Sequence, residues 1–367
     1  MKDFVVSARK YRPSTFVSVV GQQSITATLK NAIKNNQMAH AYLFCGPRGV
    51  GKTTCARIFA KTINCQNVTS DNEPCNTCES CLAFNENRSY NIHELDAASN
   101  NSVDDIRLII DKVRVPPQLG HYSVYIIDEV HMLSAAAFNA FLKTLEEPPR
   151  HAIFILATTE KHKILPTILS RCQIFDFNRL KISDISGYLK YVAKNEEVEV
   201  EESGFDVIAQ KADGAMRDAL SIFDQIVSFS GKNITYHNVI DTLNVLDYDY
   251  YFKLTDHFLS GDIPDVLLIF NEILNNGFDG HHFITGLASH FRDLLMCKDP
   301  STVQLLEVGG EIQEKYKVQA ARCDQDFLLK SLEIANYCDL NYKTSQHKRL
   351  LVELTLIRIS QVNQKKK

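Results

Sequence analysis

The chain has 367 residues, with 40 Lys and Arg against 44 Asp and Glu, which gives a formal net charge of −4. A hydrophobic fraction of 45% is sufficient for a packed core and excludes a chain that is disordered throughout. The slight acidity excludes a protein held to nucleic acid by bulk positive charge. At about 150 residues per domain, the length predicts two or three domains.

The cysteines are the unusual part of this composition. The first twenty residues show no signal-peptide pattern, and no apolar stretch approaches the roughly 20 residues that a membrane-spanning helix needs. We therefore expect a soluble, cytoplasmic protein with no membrane partner. In a reducing compartment, ten cysteines are expected to serve as metal ligands or buried thiols rather than as disulfides.

The first 180 residues alternate between strand-like and helix-like segments. Ser134 is a suitable N-cap for one helix, and a second helix is predicted at residues 53–63, directly after a glycine-rich loop. A short apolar run predicts a strand at residues 41–45, and further short strands are predicted at residues 91–95, 124–127 and 153–156. Strands that alternate with helices indicate an α/β domain with a parallel sheet and helices on both faces.

Strand signals fade after residue 180. Helices are predicted at residues 182–193, 205–211 and 215–229, and the chain is nearly all helical after residue 235. A break near residues 242–247 suggests a second boundary. The predicted organisation is an α/β domain at 1–180, a small helical domain at 181–242 and a larger all-helical domain at 243–367.

A phosphate-binding loop is the clearest chemical motif. Residues 46–53 fit G-x-x-x-x-G-K-[ST] between a predicted strand and a predicted helix, which favours the motif over a chance glycine loop. In such a loop Lys52 would bridge the β- and γ-phosphates and the Thr53 hydroxyl would bind Mg²⁺. The nucleotide-binding candidates are Gly46, Pro47, Arg48, Gly49, Val50, Gly51, Lys52, Thr53 and Thr54.

Two acidic residues complete this motif at the end of the predicted strand 124–127. Asp128 is the candidate Mg²⁺ ligand, and Glu129 is the candidate base that polarises an attacking water, which indicates ATP hydrolysis. The alternative is a solvated acidic turn. His131 follows in a D-E-x-H pattern and is as compatible with packing as with function.

Four cysteines, Cys65, Cys75, Cys78 and Cys81, lie within 17 residues on a polar segment. This spacing suits a tetrahedral Zn²⁺ site. All four positions would be filled by protein, so the predicted site is structural, and the metal would stabilise a segment poor in apolar residues. An iron–sulfur cluster and a redox pair are the alternatives.

These motifs, in this order, resemble the AAA+ clamp loaders. The resemblance is strongest over residues 1–230. It includes the Ser-Arg-Cys triplet at 170–172, which is particular to the clamp-loader branch, and the cysteine spacing described above. The other matching segments are residues 8–13, Phe16, and residues 20–22, 95–99, 128–131, 142–149 and 156–159.

The resemblance implies further roles for single residues. Thr159 would orient the attacking water, with Thr158 as the neighbouring candidate. Arg217 would reach the γ-phosphate from a helical lid, and Arg171 would act as an arginine finger on the nucleotide of an adjacent subunit. Surface ion pairs are the alternative for both arginines. The implied adenine pocket is Tyr11, Arg12, Pro13 and Val20, although proline and valine also fill ordinary cores.

The resemblance also implies partners. Several copies of the chain would join related subunits in a five-membered ring that opens a sliding clamp and loads it onto primer–template DNA. The resemblance implies that the chain hydrolyses ATP as part of a replicative polymerase assembly. The chain itself is not expected to carry the nucleotidyl-transfer site. Where a basic DNA contact is expected, this chain has Asn100, Asn101 and Ser102.

The C-terminal domain would form the collar that holds the subunits together. Its apolar residues could instead form an ordinary internal core; they include Phe283, Leu287, Phe291, Leu294 and Leu295. Two rival functions are a different AAA+ motor, such as a branch-migration helicase, and a catalytically silent scaffold. The Ser-Arg-Cys triplet and the cysteine insert argue against the first, and the intact Lys52 and Glu129 argue against the second.

Overall fold

A computed structural model describes residues 5–117, 120–306, 308 and 310–363. The described part of the chain divides into two compact units, Met1–Glu199 with Ile208–Ser228 and Val200–Val207 with Phe229–Lys367. Among the described residues, none of the helices combines the length and the apolar character needed to cross a membrane.

The first unit contains a parallel five-stranded sheet in the order β2-β3-β4-β1-β5. Its strands are β1 Ala41–Cys45, β2 Ile92–Asp96, β3 Ser123–Asp128, β4 Ala152–Thr158 and β5 Gln173–Asp176. The predicted α/β fold class is therefore confirmed. The last strand, β5, had no counterpart in the sequence-based prediction.

Alternate residues of β1 explain why the sheet is built from continuous apolar runs. Tyr42 and Phe44 pack in one hydrophobic cluster, whereas Leu43 and Cys45 pack in another on the opposite face. Both faces are thus buried, as parallel sheets require. One face is covered by helices α2 Gln23–Lys34, α3 Lys52–Ile63 and α4 Glu79–Asn85, and the other by α5 Val103–Val113, α6 Ala135–Glu146 and α7 Pro166–Leu169. Two further helices are α1 Ser7–Lys10 and α8 Ile182–Asn195.

Two of these helices begin at serine caps. The Ser134 hydroxyl accepts a hydrogen bond from the Ala137 N–H at 3.2 Å, which is the predicted N-cap of α6. Ser102, where a basic residue had been expected, caps α5 in a capping box with Asp105. The local sequence around Ser102 is therefore explained by helix initiation.

Helices dominate the rest of the chain, in agreement with the fading of strand signals. Short strands lie at β6 Glu199–Val200 and β7 Asn233–Ile234. The helices are α9 Glu202–Lys211, α10 Met216–Ser230, α11 Tyr236–Leu243, α12 Tyr248–Ser260, α13 Ile263–Asn275, α14 Gly280–Met296, α15 Gly310–Arg322, α16 Gln325–Tyr342 and α17 Lys348–Ser360. Short 3₁₀ helices lie at Val130–Met132, Lys161–Lys163 and Val303–Leu305.

The second unit has its own hydrophobic core. The apolar stripe of α14 points into this core, since Phe283, Leu287, Phe291 and Leu294 are all buried there and Leu295 packs at its edge. Of the two interpretations of this stripe, internal packing is the one that these contacts support.

Candidate functional site

The phosphate loop connects β1 to α3. Gly46 and Gly51 both have positive φ, at 145° and 102°. A side chain at Gly46 would lie 2.4 Å from the Phe177 carbonyl oxygen, so both its conformation and its surroundings require glycine. Because α3 begins at Lys52, the loop ends at a helix N-terminus, whose free N–H groups and partial positive charge favour a bound phosphate.

Lys52 is buried within this loop and is only 6% exposed. Its ammonium group donates hydrogen bonds of 2.7 Å to the carbonyl oxygens of Gly46 and Pro47. Burial lowers the pKa of Lys52, and the nearby Glu129 and Asp128 carboxylates oppose that shift. The positive charge therefore lies where it would meet a bound phosphate.

Thr53 and Asp128 meet at the carboxyl end of β3. The Thr53 hydroxyl donates to an Asp128 carboxylate oxygen at 2.6 Å, and the other carboxylate oxygen accepts from the Glu129 N–H at 2.9 Å. A hydroxyl and a carboxylate at this separation supply the hard oxygen ligands that Mg²⁺ prefers. These two residues fit a magnesium ion.

Glu129 directly follows Asp128 and has a left-handed backbone conformation, with φ of 48°. Its carboxylate accepts hydrogen bonds from Thr159, at 3.0 Å from the hydroxyl and 3.3 Å from the N–H. Strained backbone of this kind persists only where the surroundings hold it. The end of β4 therefore fixes the candidate base.

The neighbouring Thr158 has different contacts. It is fully buried, and its hydroxyl lies 3.0 Å from His131 Nδ1 and accepts from the Glu160 N–H at 3.0 Å. His131 in turn lies 3.4 Å from the Glu129 carboxylate and 3.3 Å from that of Glu160. Of the two threonines, Thr159 is thus the one that touches Glu129, and His131 lies beside the same carboxylate oxygen.

A cavity of about 480 Å³ lies over the phosphate loop. All four residues of the implied adenine pocket line it, namely Tyr11, Arg12, Pro13 and Val20. The cavity is also lined by loop residues 48–54, Asp128 and Glu129. The predicted phosphate-binding loop and the candidate catalytic base Glu129 therefore face the same cavity.

Several lining residues had not been predicted from the sequence. They are Val6, Ala8, Arg9, Val19, Leu180, Tyr188, Met216 and Leu220. Tyr188 is an example, since its hydroxyl donates to the Tyr11 carbonyl at 2.7 Å although 177 residues separate the two in sequence. Spacing along the chain holds no signal for a contact of this kind.

The two candidate arginines lie in different places. Arg217, near the start of α10, lines the cavity. Arg171 does not; its guanidinium donates to the Glu146 carboxylate at 2.8 Å and to the Thr167 carbonyl at 2.8 Å. Within its own chain Arg171 therefore forms a surface ion pair.

The four cysteines of the insert converge. Cys65 and Cys78 have sulfur atoms 3.9 Å apart, those of Cys75 and Cys81 are 4.0 Å apart, and all four lie within 4.8 Å of one another. Zn–S bonds of about 2.3 Å in a tetrahedron place the sulfur atoms about 3.8 Å apart. The residues present fit a tetrahedral zinc ion.

Backbone groups prepare one of these thiols for a metal. Although burial acts in the opposite direction, the N–H groups of Thr77 and Cys78 lower the pKa of Cys75 to about 6. Their distances to the Cys75 sulfur are 3.5 Å and 3.2 Å. Metal ligation requires the thiolate, so these hydrogen bonds favour the ligating form.

The other cysteines lie apart from this cluster. Cys45, Cys55, Cys323 and Cys338 are buried, whereas Cys172 and Cys297 are partly buried. Burial raises the pKa of Cys55 to about 12. These positions agree with the expectation of buried, unreactive thiols.

Comparison with known proteins gives two family matches. Residues 21–181 match the model described as DNA polymerase III, delta subunit. Residues 184–232 match the DNA polymerase III clamp loader subunit, ATPase lid domain. Together the two matches cover the five-stranded sheet, the phosphate loop and helix α10, which carries Arg217.

Curated relatives match nearly the whole chain. DNA polymerase III subunit tau of Bacillus subtilis is 42% identical over 355 residues, which is 97% of this chain and 63% of that relative. DNA polymerase III subunit gamma of Buchnera aphidicola, from Acyrthosiphon pisum, is 34% identical, over 97% of this chain and 99% of that relative. The chain thus spans less than two thirds of the longer relative.

Solved structures also resemble the chain. The Thermotoga maritima RuvB Holliday junction branch migration motor is 21% identical and covers 67% of this chain and 78% of its own, with a TM-score of 0.47. The curated relatives and the clamp-loader lid match confirm the resemblance to clamp loaders that the sequence motifs predicted. The chain belongs to the gamma/tau family of DNA polymerase III subunits.

Proposed function

We propose that this chain is an ATP-hydrolysing subunit of a DNA polymerase III clamp loader. The observation that carries the proposal is that Glu129, which is held by Thr159, lines the same cavity as Lys52 of the phosphate loop. That arrangement places a candidate base next to a phosphate site, which a protein that only bound nucleotide would not need.

ATP with Mg²⁺ would supply the phosphoanhydride bond that is cleaved. Lys52 would neutralise the developing charge on the phosphates, and Thr53 with Asp128 would hold the magnesium ion. Glu129 would orient the attacking water and receive its proton, while Thr159 holds the carboxylate in place. Tyr11, Arg12, Pro13 and Val20 would contact the adenine, since all of them line the cavity.

Two arginines would complete the site at the γ-phosphate. Arg217 would act from the lid in the same chain, because it already lines the cavity. Arg171 lies outside that cavity, which supports a role on the nucleotide of an adjacent subunit. A permanently charged guanidinium suits this task because its donors spread over several phosphate oxygens.

The cysteine insert would hold a structural zinc ion. Four thiolates leave no open position for water, so the ion would take no part in hydrolysis. The ion would instead stabilise the fold of residues 65–81. The hydrophobic cluster of this segment consists of the four cysteines themselves.

Membership of the family implies association with other clamp-loader subunits. We infer that several copies of this chain join related subunits in a five-membered ring, and that the ring opens the sliding clamp and loads it onto primer–template DNA. The proposed domains are the AAA+ domain at 1–180, the lid at 181–242 and a collar at 243–367. With a net charge of −4, DNA would be held by a few placed contacts rather than by bulk charge.

The test is ATP hydrolysis by the reconstituted loader, measured as phosphate release with and without clamp and primed DNA. We expect clamp and DNA to stimulate hydrolysis, and Lys52→Ala to abolish nucleotide binding. Absence of turnover in every condition would support the silent scaffold. Turnover that does not respond to the clamp would support a different AAA+ motor.

A further inference from the structure

A buried carboxylate links the cysteine insert to the nucleotide cavity. Glu73 lies in the insert and is 7% exposed. It accepts hydrogen bonds from the N–H groups of Phe16 at 2.7 Å and Val17 at 3.1 Å. Lys30 of α2 donates to the same carboxylate at 3.0 Å. Three donors therefore converge on one acidic side chain.

The two N–H groups belong to a turn that shapes the cavity. The Val19 N–H donates to the Phe16 carbonyl at 3.1 Å and closes the turn. Pro13, before the turn, and Val19 and Val20, at its end, line the cavity on the side implied to hold adenine. The position of this turn therefore decides where that wall of the cavity lies.

The position of Glu73 depends on the fold of the insert. Its N–H donates to the Thr69 hydroxyl at 3.1 Å, and its carbonyl accepts from the Thr69 N–H at 3.0 Å. Cys75, one of the candidate zinc ligands, follows two residues later. The hydrophobic cluster of this segment consists of cysteines, so we expect its fold, and with it the position of Glu73, to depend on the bound metal.

We propose that Glu73 is a positioning residue that fixes the wall of the cavity on the adenine side. Adenine affinity would then depend on the folded cysteine insert. This proposal rests on the proposed ATP site. It assigns the insert a task at the nucleotide, exerted through the backbone of residues 16 and 17 and not through contact with the ligand.

The test compares two ligands that share phosphates and differ in the base. Binding of Mg·ATP and of Mg·tripolyphosphate is measured on the full chain by competition with a fluorescent nucleotide. Glutamine at position 73 has one acceptor oxygen, and its amide nitrogen cannot accept a hydrogen bond, so one of the two N–H groups of Phe16 and Val17 loses its partner. We therefore expect Glu73→Gln to bind ATP about tenfold more weakly, which corresponds to about 1.4 kcal/mol of binding free energy. Tripolyphosphate affinity should stay within about twofold of the wild type, since the phosphate loop is untouched.

The matched control is Glu79→Gln, which changes an exposed carboxylate of the same insert. It should leave both affinities unchanged. Equal ATP affinity in the wild type and Glu73→Gln would overturn the proposal while leaving the ATP site intact. If the wild type itself does not bind ATP, it is the proposed function that fails.

A second pair of variants approaches the contact from the turn. Val17 is 78% exposed, and Val17→Pro deletes its N–H at a turn position that tolerates proline, whereas Val17→Ala keeps the N–H. We expect only the proline variant to weaken ATP binding. It should also speed hydrogen exchange at the Phe16 amide, with zinc content unchanged. Identical binding by the two variants would contradict the proposal even if Glu73→Gln failed to fold.

Discussion

The Thr159 hydroxyl donates a hydrogen bond of 3.0 Å to the Glu129 carboxylate. This contact joins the ends of β3 and β4, which lie side by side in the sheet. Parallel strands bring their carboxyl ends to one edge, so two residues separated by 30 positions meet beside the phosphate loop. The candidate base is thereby held just beyond the ends of two neighbouring strands.

Thr159→Val should lower the rate of ATP hydrolysis by roughly tenfold to a hundredfold, because it removes a donor that holds the base. ATP affinity should be nearly unchanged, since Thr159 does not line the cavity. Steady-state phosphate release by the reconstituted loader, together with nucleotide binding to the single chain, measures the two effects separately.

Thr158→Val is the matched control for this change. Its hydroxyl accepts from the Glu160 N–H and lies beside His131 Nδ1, so it reaches Glu129 only through His131 and not by direct contact. Because Thr158 is fully buried, the loss should appear in stability, at about 1–2 kcal/mol. A larger loss of hydrolysis per folded chain in Thr158→Val than in Thr159→Val would reverse the two roles.

Arg171→Ala should leave ATP binding to the single chain unchanged and reduce clamp-stimulated hydrolysis in the assembled loader by about a thousandfold. The reason is that Arg171 lies outside its own cavity and would act on a neighbouring one. Glu146→Gln removes the ion-pair partner of Arg171. Because Glu146 is half-exposed, this ion pair contributes little to stability, and hydrolysis should stay within about twofold of the wild type. Normal stimulated hydrolysis by the Arg171→Ala loader would exclude the finger.

Much of the first unit could be predicted because its signals are local. Three of the five strands, β1, β3 and β4, are continuous apolar runs buried on nearly their whole length, so they stand out in the sequence. The edge strand β2 was also predicted, although Ile92 is its single buried residue. The other edge strand, β5, was missed; it is only four residues long and has Phe175 as its single buried position. An edge strand with three exposed positions does not produce the apolar run on which the prediction depended.

In the candidate site, too, the residues that could be predicted are those with a local signal in the sequence. The phosphate loop, Asp128 and Glu129, and the four cysteines are contiguous motifs whose spacing follows from chemistry. Glu73 and Tyr188 were not identified, because each acts through a backbone atom of a distant segment. A side chain that binds a main-chain group requires no particular partner residue, so the sequence contains no matching pattern.

Cys78→Ser should reduce zinc content by about one equivalent per chain, because a hydroxyl is a poor fourth ligand in a thiolate site. Metal analysis of the purified protein by mass spectrometry measures this directly. Cys297→Ser is the control, since Cys297 lies in the second unit outside the cluster. Unchanged zinc in Cys78→Ser would rule out the four-cysteine site, and iron in the wild type would favour a cluster.

A buried histidine in the second unit gives a prediction about pH. His290 is 1% exposed, its Nδ1 lies 2.9 Å from the Tyr316 hydroxyl, and its Nε2 lies 3.1 Å from the Gln319 side-chain oxygen. Burial lowers the pKa of His290 to about 3. The ordinary value in an unfolded chain is about 6.5, so the unfolded state takes up the proton first as the pH falls.

The stabilising effect of neutral His290 is therefore complete above about pH 6.5 and is lost as the pH falls toward 3. Between pH 7 and pH 5 the loss should be about 2 kcal/mol. Free energies from hydrogen exchange of the slowest α14 amides measure it. His290→Gln should be less stable at pH 7 but should lose about 2 kcal/mol less on acidification, because glutamine does not titrate.

His282→Gln alters an exposed side chain of the same helix and should match the wild type. If His290→Gln and the wild type lose equal stability between these pH values, His290 does not account for the acid sensitivity of this unit.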